Sequence, residues 1–187
     1  EGKVAVRVGD RVAEARLSLP ALHSRGEGEE GGSEPRRTER CMIWGCKRQL
    51  LLCHGVKTDE LEKLIAEHQP KFVYLIPTFG NPSGALLSAE RRRQVLEMAV
   101  KHQTLIVEDD PYGDLYFGET PPPSLLALSE QVSGSRDYLV HCGSLSKILS
   151  PGLRVGWMIG PSELLARATM CKQFSDAHTS NLTQAIG

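Results

Sequence analysis

The stretch His141-Cys-Gly-Ser144-Leu-Ser146-Lys147-Ile-Leu-Ser-Pro-Gly-Leu-Arg154-Val-Gly-Trp157-Met-Ile-Gly160 decides how this chain is read. An apolar run, Tyr138 to Cys142, empties into Gly143, two serines and Lys147. A Pro-Gly turn follows, and Arg154 opens a second apolar run, Val155 to Ile159. The pattern is strand, polar loop, lysine, turn, arginine, strand. Hydroxyls and a guanidinium beside one amine suit an anion such as a phosphate and leave the amine for covalent work. Alone, Ser-x-Ser-Lys is a weak signal. Its meaning depends on what the rest of the chain supplies.

Working outward, helical and extended signals alternate. Thr58 is placed to cap a helix with Asp59 and Glu60 in its first turn and Leu61, Leu64 and Ile65 on one face, ended by Pro70. Phe72 to Ile76 is a continuous apolar run of buried-strand type. It enters Pro77-Thr-Phe-Gly-Asn81-Pro-Ser-Gly84, a dense turn signal. Ser88 caps the next helix, whose inner face is Val95, Leu96 and Ala99. Thr104 to Val107 is another buried strand, with Glu108-Asp109-Asp110-Pro-Tyr112 at its carboxyl end. A Pro-rich connection and a short helical stretch lead to Tyr138, and Ser162 starts a last helix. This alternation predicts an α/β fold with a mostly parallel sheet. The polar clusters at Asn81, Asp109 and Ser144 then follow strand carboxyl ends, where open α/β sheets bind ligands.

Residues 1–54 read differently. Lys3 to Val8 alternates like a strand, and Gly9-Asp-Arg11 is a turn signal. Ser24 to Arg40 is Gly, Glu, Arg, Ser and Pro with almost no apolar residue, a composition that cannot bury enough surface to order itself. Cys41, Cys46, Cys53 and His54 match no common zinc spacing, so no metal site is expected. Five cysteines without framework spacing suggest a reducing, cytoplasmic compartment. A net charge of -1 argues against nucleic acid or an anionic membrane as partner. No apolar run approaches the roughly 18–20 residues of a membrane span.

Taken in order, Asn81-Pro-Ser-Gly84, Asp109-x-x-Tyr112, Ser144-x-Ser146-Lys147 and Arg154 resemble the fold type I, class I/II aminotransferases that use pyridoxal 5'-phosphate. The run from Gly143 through Trp157, with Lys172-Gln173 and Asp176-x-His178-Thr179, is similar to the branch holding 2-aminoadipate and kynurenine aminotransferases and MocR-type regulators. The resemblance covers about residues 55–187. It implies a partial large domain, a three-layer sandwich, preceded by a divergent or disordered segment over 1–54.

The resemblance also implies roles. Lys147 would carry the cofactor as a Schiff base and move a proton between substrate and cofactor. Asp109 would pair with the pyridine nitrogen and keep it protonated, making the ring an electron sink. Asn81 and Tyr112 would hydrogen-bond the ring hydroxyl, while Ser144, Ser146 and Arg154 would hold the phosphate. Asp110 competes with Asp109, and the three-residue step to Tyr112 favours Asp109. Trp157 and Phe174 read as packing, and Asp176 and His178 as satisfied polar groups. The implied reaction is transamination between an amino acid and a 2-oxo acid, in a homodimer.

The glycine- and serine-rich phosphate cup and the ring-stacking aromatic expected before Asn81 are not found. Residues 13–54 match nothing expected, which suggests a divergent, truncated or frame-shifted segment. By the same resemblance, the small domain and its substrate-gripping arginine would lie beyond Gly187. Two alternatives stay open: the sensor domain of a MocR-type transcription regulator, and an inactive truncated remnant.

Overall fold

The computed structural model describes residues 4–8, 11–15, 43–44, 51–52, 55–118, 120–176 and 178–187. The low-complexity stretch Ser24 to Arg40, and Cys41, Cys46, Cys53 and His54, lie outside these.

The strands, in chain order, are β1 (Val4–Val8), β2 (Arg11–Ala15), β3 (Ile43–Trp44), β4 (Leu51–Leu52), β5 (Gly55–Val56), β6 (Phe72–Leu75), β7 (Leu105–Asp109), β8 (Leu139–Ser144) and β9 (Gly156–Ile159). β4 and β5 pair separately with each other. The other seven form one sheet in the spatial order β2-β1-β9-β8-β7-β6-β3. Pairings β1–β9, β8–β7, β7–β6 and β6–β3 are parallel, while β1–β2 and β8–β9 are antiparallel. The sheet is therefore mostly parallel, as expected of strands alternating with helices.

The helices are α1 (Thr58–His68), α2 (Ala89–His102), α3 (Leu125–Leu128), α4 (Leu145–Ile148), α5 (Ser162–Asp176) and α6 (Asn181–Ile186). One sheet face, built from Val73, Leu75, Ile106 and Leu139, packs on Leu61 and Ile65 of α1, Val95, Leu96 and Ala99 of α2, and Leu125 and Leu128 of α3. The opposite face buries Val140 and Met158 against Leu165 of α5. Helices on both faces make the three layers.

Four expectations are corrected. Thr58 is the first helical residue rather than the cap; Lys57 holds the cap position, and Thr58 Oγ1 donates to Gln94 Oε1 at 2.6 Å, tying α1 to α2. The β6 and β7 runs are not buried on both sides: Phe72, Tyr74, Leu105 and Val107 are only half-buried, alternating with buried neighbours. The physical reason is that α5 covers the β8–β9 part of that face. β7 runs to Asp109, so Asp109 ends the strand rather than following it. Finally α5 is not the last helix, since α6 follows after Ser180, whose side chain accepts from Thr183 N. Ser88, by contrast, caps α2 as expected, accepting from Arg91 N at 3.4 Å.

Candidate active site

The topology gathers the polar clusters. β6, β7 and β8 are mutually parallel and β9 runs antiparallel to β8, so the carboxyl ends of the first three and the start of β9 share one sheet edge. The Asn81 loop leaves β6 there, Asp109 ends β7, Ser144 ends β8, and Arg154 lies two residues before β9.

The Asn81 loop is braced from below. Leu87 N donates to Pro77 O at 2.8 Å and Gly80 N to Ala85 O at 2.9 Å, closing the loop across its base. Arg92, fully buried, donates from Nε to Leu87 O at 2.8 Å and from Nη2 to Pro77 O and Thr78 Oγ1 at 3.0 and 2.9 Å. A planar guanidinium thus grips both ends of the loop while Asn81 stays exposed at its tip. The Phe79 ring stacks on Tyr116 with centroids 6.0 Å apart, joining this loop to the one after β7.

At the end of β7, Asp109 and Asp110 point to different partners. Asp109 Oδ2 accepts a hydrogen bond from the Tyr74 hydroxyl on the neighbouring strand. Burial raises the Asp109 pKa above the ordinary carboxylate value, while the Tyr74 hydrogen bond and the charge of His141 oppose the rise. Asp110 folds over the following turn: its Oδ2 lies 2.5 Å from where a Cβ on Gly113 would sit, so a side chain there would displace the Asp110 carboxylate. Tyr112 is half-buried, and its carbonyl accepts from Leu115 N at 2.9 Å.

Beneath them runs a buried ionic chain. Glu108, fully buried, accepts from Leu125 N at 2.7 Å, Leu126 N at 3.2 Å and His141 Nδ1 at 2.8 Å, and lies 4.0 Å from Arg92 Nη1. For His141, burial lowers the pKa but the hydrogen bond and charge of Glu108 outweigh it, and the net shift is upward.

Ser144 caps α4, with its Oγ accepting from Ser146 N at 3.0 Å and donating to Val155 O at 3.4 Å. These bonds fix the turn that carries Ser146 and Lys147. Ser146 is half-buried and Lys147 exposed. Among the described residues the Lys147 amine makes no hydrogen bond or ion pair. Gly143 is required by close approach: a Cβ there would lie 2.2 Å from Trp157 Cε2. That contact gives Trp157 the packing role expected of it. Arg154 is exposed, has a left-handed backbone (φ 55°), and donates from Nη1 to Pro151 O at 3.1 Å. The whole set therefore shares one sheet edge, but no described hydrogen bond links Asn81 or Lys147 directly to Asp109.

The sequence reading missed Tyr74, Arg92, Glu108 and His141. Arg92 sits on the same helical face as Val95, Leu96 and Ala99, and Glu108 alternates with Ile106 on the buried strand face. A charge at a core position of the period was the available signal. Asp176 accepts from the buried Lys172 at 2.6 Å and His178 Nδ1 lies 2.9 Å from Thr179 O, so both are engaged in local polar contacts. Phe174 is exposed, against the expectation that it packs. Among the described residues no group of three potential ligands could hold a metal, and no helix is long and apolar enough to cross a membrane.

The family model for aminotransferase class I and II matches residues 40–186. The chain belongs to the class I and II aminotransferases. The match starts upstream of Gly55, where the sequence resemblance began. The 2-aminoadipate transaminase of Thermus thermophilus is 39% identical over 132 residues, covering 71% of this chain and 33% of that protein. An uncharacterized HTH-type transcriptional regulator of Bacillus subtilis, YisV, is 36% identical over 130 residues, covering 70% of this chain and 26% of the regulator. The crystal structure of LysN, an alpha-aminoadipate aminotransferase from Thermus thermophilus, superposes with a TM-score of 0.66 at 40% identity, over 70% of this chain and 33% of LysN. That structure is a complex with N-(5'-phosphopyridoxyl)-L-leucine. The chain thus spans about a third of the length of the aminotransferases it matches. Pyridoxal phosphate is the cofactor of this family, and the donor set here suits it: a carboxylate with one oxygen engaged, a phenol, two serine hydroxyls, a guanidinium and an amine without a partner among the described residues.

Proposed function

We propose that this chain is part of the cofactor-binding large domain of an aminotransferase, spanning residues 55–187, that moves an amino group between an amino acid and a 2-oxo acid. The observation that carries it is the assembly of the Asn81 loop, Asp109, Ser144 to Lys147 and Arg154 along one sheet edge. When bound, pyridoxal phosphate supplies an electron sink for charge developing at the substrate Cα. Lys147 would hold the cofactor covalently and carry the proton to and from that carbon, a role that suits an amine with no hydrogen bond among the described residues. Asp109 would present a carboxylate to the pyridine nitrogen. Asn81 and Tyr112 would hydrogen-bond the ring hydroxyl. Ser144 and Ser146 offer hydroxyls, and Arg154 a planar fork, to the phosphate. Residues 1–54 form a divergent N-terminal segment. A homodimer and a cytoplasmic location belong to the same proposal, with sedimentation velocity as the test of the first.

The test is the visible absorbance of the purified chain with added pyridoxal phosphate, before and after Lys147→Ala. A band lost in the variant is the expected result. An identical band in both moves the covalent attachment to another amine.

A second reading rests on the similarity to a B. subtilis transcriptional regulator: the same domain could act as the ligand sensor of a regulator. Coding DNA upstream of Glu1 discriminates, because a winged helix-turn-helix in frame there favours the sensor.

A further inference from the structure

Resting on the cofactor role given to Asp109, we propose that Tyr74 is the positioning residue for that carboxylate, holding Oδ2 so that Oδ1 is presented to the cofactor's ring nitrogen. The two residues come from adjacent parallel strands. The register aligns Tyr74 with Val107, two residues before Asp109, so both side chains emerge on the same sheet face. A phenol is long enough to span that two-residue offset along the strands, and its hydroxyl donates to Asp109 Oδ2. The other oxygen, Oδ1, accepts no hydrogen bond from the described residues. It is therefore available at the edge where Lys147, Tyr112 and Ser144 also lie.

A carboxylate with no fixed partner rotates about its terminal torsion, which is broad and roughly two-fold. Binding would have to order it. With Oδ2 tied to a phenol on a sheet strand, that ordering is complete before the cofactor arrives. Tyr74 is also a donor that does not switch. Its burial, with the Asp109 hydrogen bond added, drives its pKa upward, so the phenol stays protonated. The groups acting on the pair are Cys142 and His141 from β8 and Tyr112 from the loop beyond β7; Glu108 alternates onto the opposite sheet face. Burial pushes the Cys142 thiol up to about 12, so it remains neutral beside the carboxylate. Tyr74 and His141 both favour the ionised Asp109, against the burial that opposes it.

The test has two parts, both on the full chain. In the first, the carboxyl carbon of Asp109 is titrated by NMR with labelled aspartate, assigned by loss of the signal in Asp109→Asn. Tyr74→Phe, which deletes one oxygen, is expected to move the Asp109 midpoint upward; an unmoved midpoint overturns the pairing. Should Tyr74→Phe not fold, the hydroxyl proton of Tyr74 is sought in the native chain. A downfield, exchange-protected resonance that disappears in Asp109→Asn supports the bond, and its absence overturns it. In the second part, pyridoxal phosphate affinity is measured against pH. Tyr74→Phe is expected to weaken binding about tenfold or more at neutral pH and to shift the acid limb of the binding profile to higher pH. A uniform loss with no pH shift marks Tyr74 as merely structural and overturns the positioning role. If the native chain shows the Asp109 shift yet binds no pyridoxal phosphate, the pairing stands and the cofactor role falls with the proposed function.

Discussion

Replacing Glu108 by Gln tests whether the buried ionic chain holds the candidate site together. Glu108 accepts from Leu125 N at 2.7 Å, Leu126 N at 3.2 Å and His141 Nδ1 at 2.8 Å, with Arg92 Nη1 4.0 Å away. Gln keeps the volume but has one acceptor oxygen and an amide that donates. If its oxygen stays on Leu125 N, the amide meets the N–H of Leu126 and the Nδ1 of His141. At least one buried donor then loses its acceptor, at about 1–3 kcal/mol. Arg92 also loses its buried counter-charge, which adds about 1 kcal/mol or more. The expected loss is about 2–4 kcal/mol, a large part of the roughly 5–15 kcal/mol typical of a folded domain.

Urea unfolding reports this as a lower midpoint with an unchanged slope. The loss also depends on pH. The folded-state pKa of His141 is raised above its ordinary 6.5, so its protonation adds stability that is complete below that value and fades as pH rises through the folded pKa. In the Glu108→Gln variant that contribution disappears, and the difference between native and variant is larger at about pH 6 than well above the His141 pKa. A variant within about 0.5 kcal/mol of the native chain at both pH values would refute the reasoning, because an unpaired buried donor cannot be that cheap.

Three further predictions concern the same edge of the sheet. Asp109→Asn should raise the stability of the cofactor-free chain at neutral pH, because a carboxyl whose folded pKa lies above its unfolded one destabilises the fold as pH rises past 3.8; thermal melts at about pH 4 and about pH 7 compare the two, and equal shifts at both refute it. Gly143→Ala should destabilise by about 1–3 kcal/mol through overlap with the Trp157 ring, and Trp157→Leu in the same chain should recover part of the loss in a double-mutant cycle. Arg92→Met should cost about 3–5 kcal/mol by removing one of the two cations beside the buried Glu108 and leaving Pro77 O, Leu87 O and Thr78 Oγ1 without their donor, and it should speed amide hydrogen exchange at Gly80 and Leu87.

The sequence by itself determined the class of fold and placed the candidate site residues at strand ends. Apolar runs separated by capped helices require strands that cross over in parallel, and turn residues after each run put Asn81, Asp109 and Ser144 at strand ends. These are local signals, written in spacing, and they survive without knowledge of partners. Only the tertiary structure decided what stands beneath that edge. Tyr74 meets Asp109, Arg92 grips the Asn81 loop, and Glu108 joins α3 to His141 across chain separations of 35, 15 and 33 residues. No period in the sequence encodes which charged residue will be buried against which. That choice falls to the register between strands and to the cost of leaving a buried charge unpaired, both of which exist only once the sheet has formed. The same applies to Asp109 and Asp110: adjacent in sequence, they part where β7 ends, the last strand residue meeting Tyr74 and the next folding over the turn at Gly113.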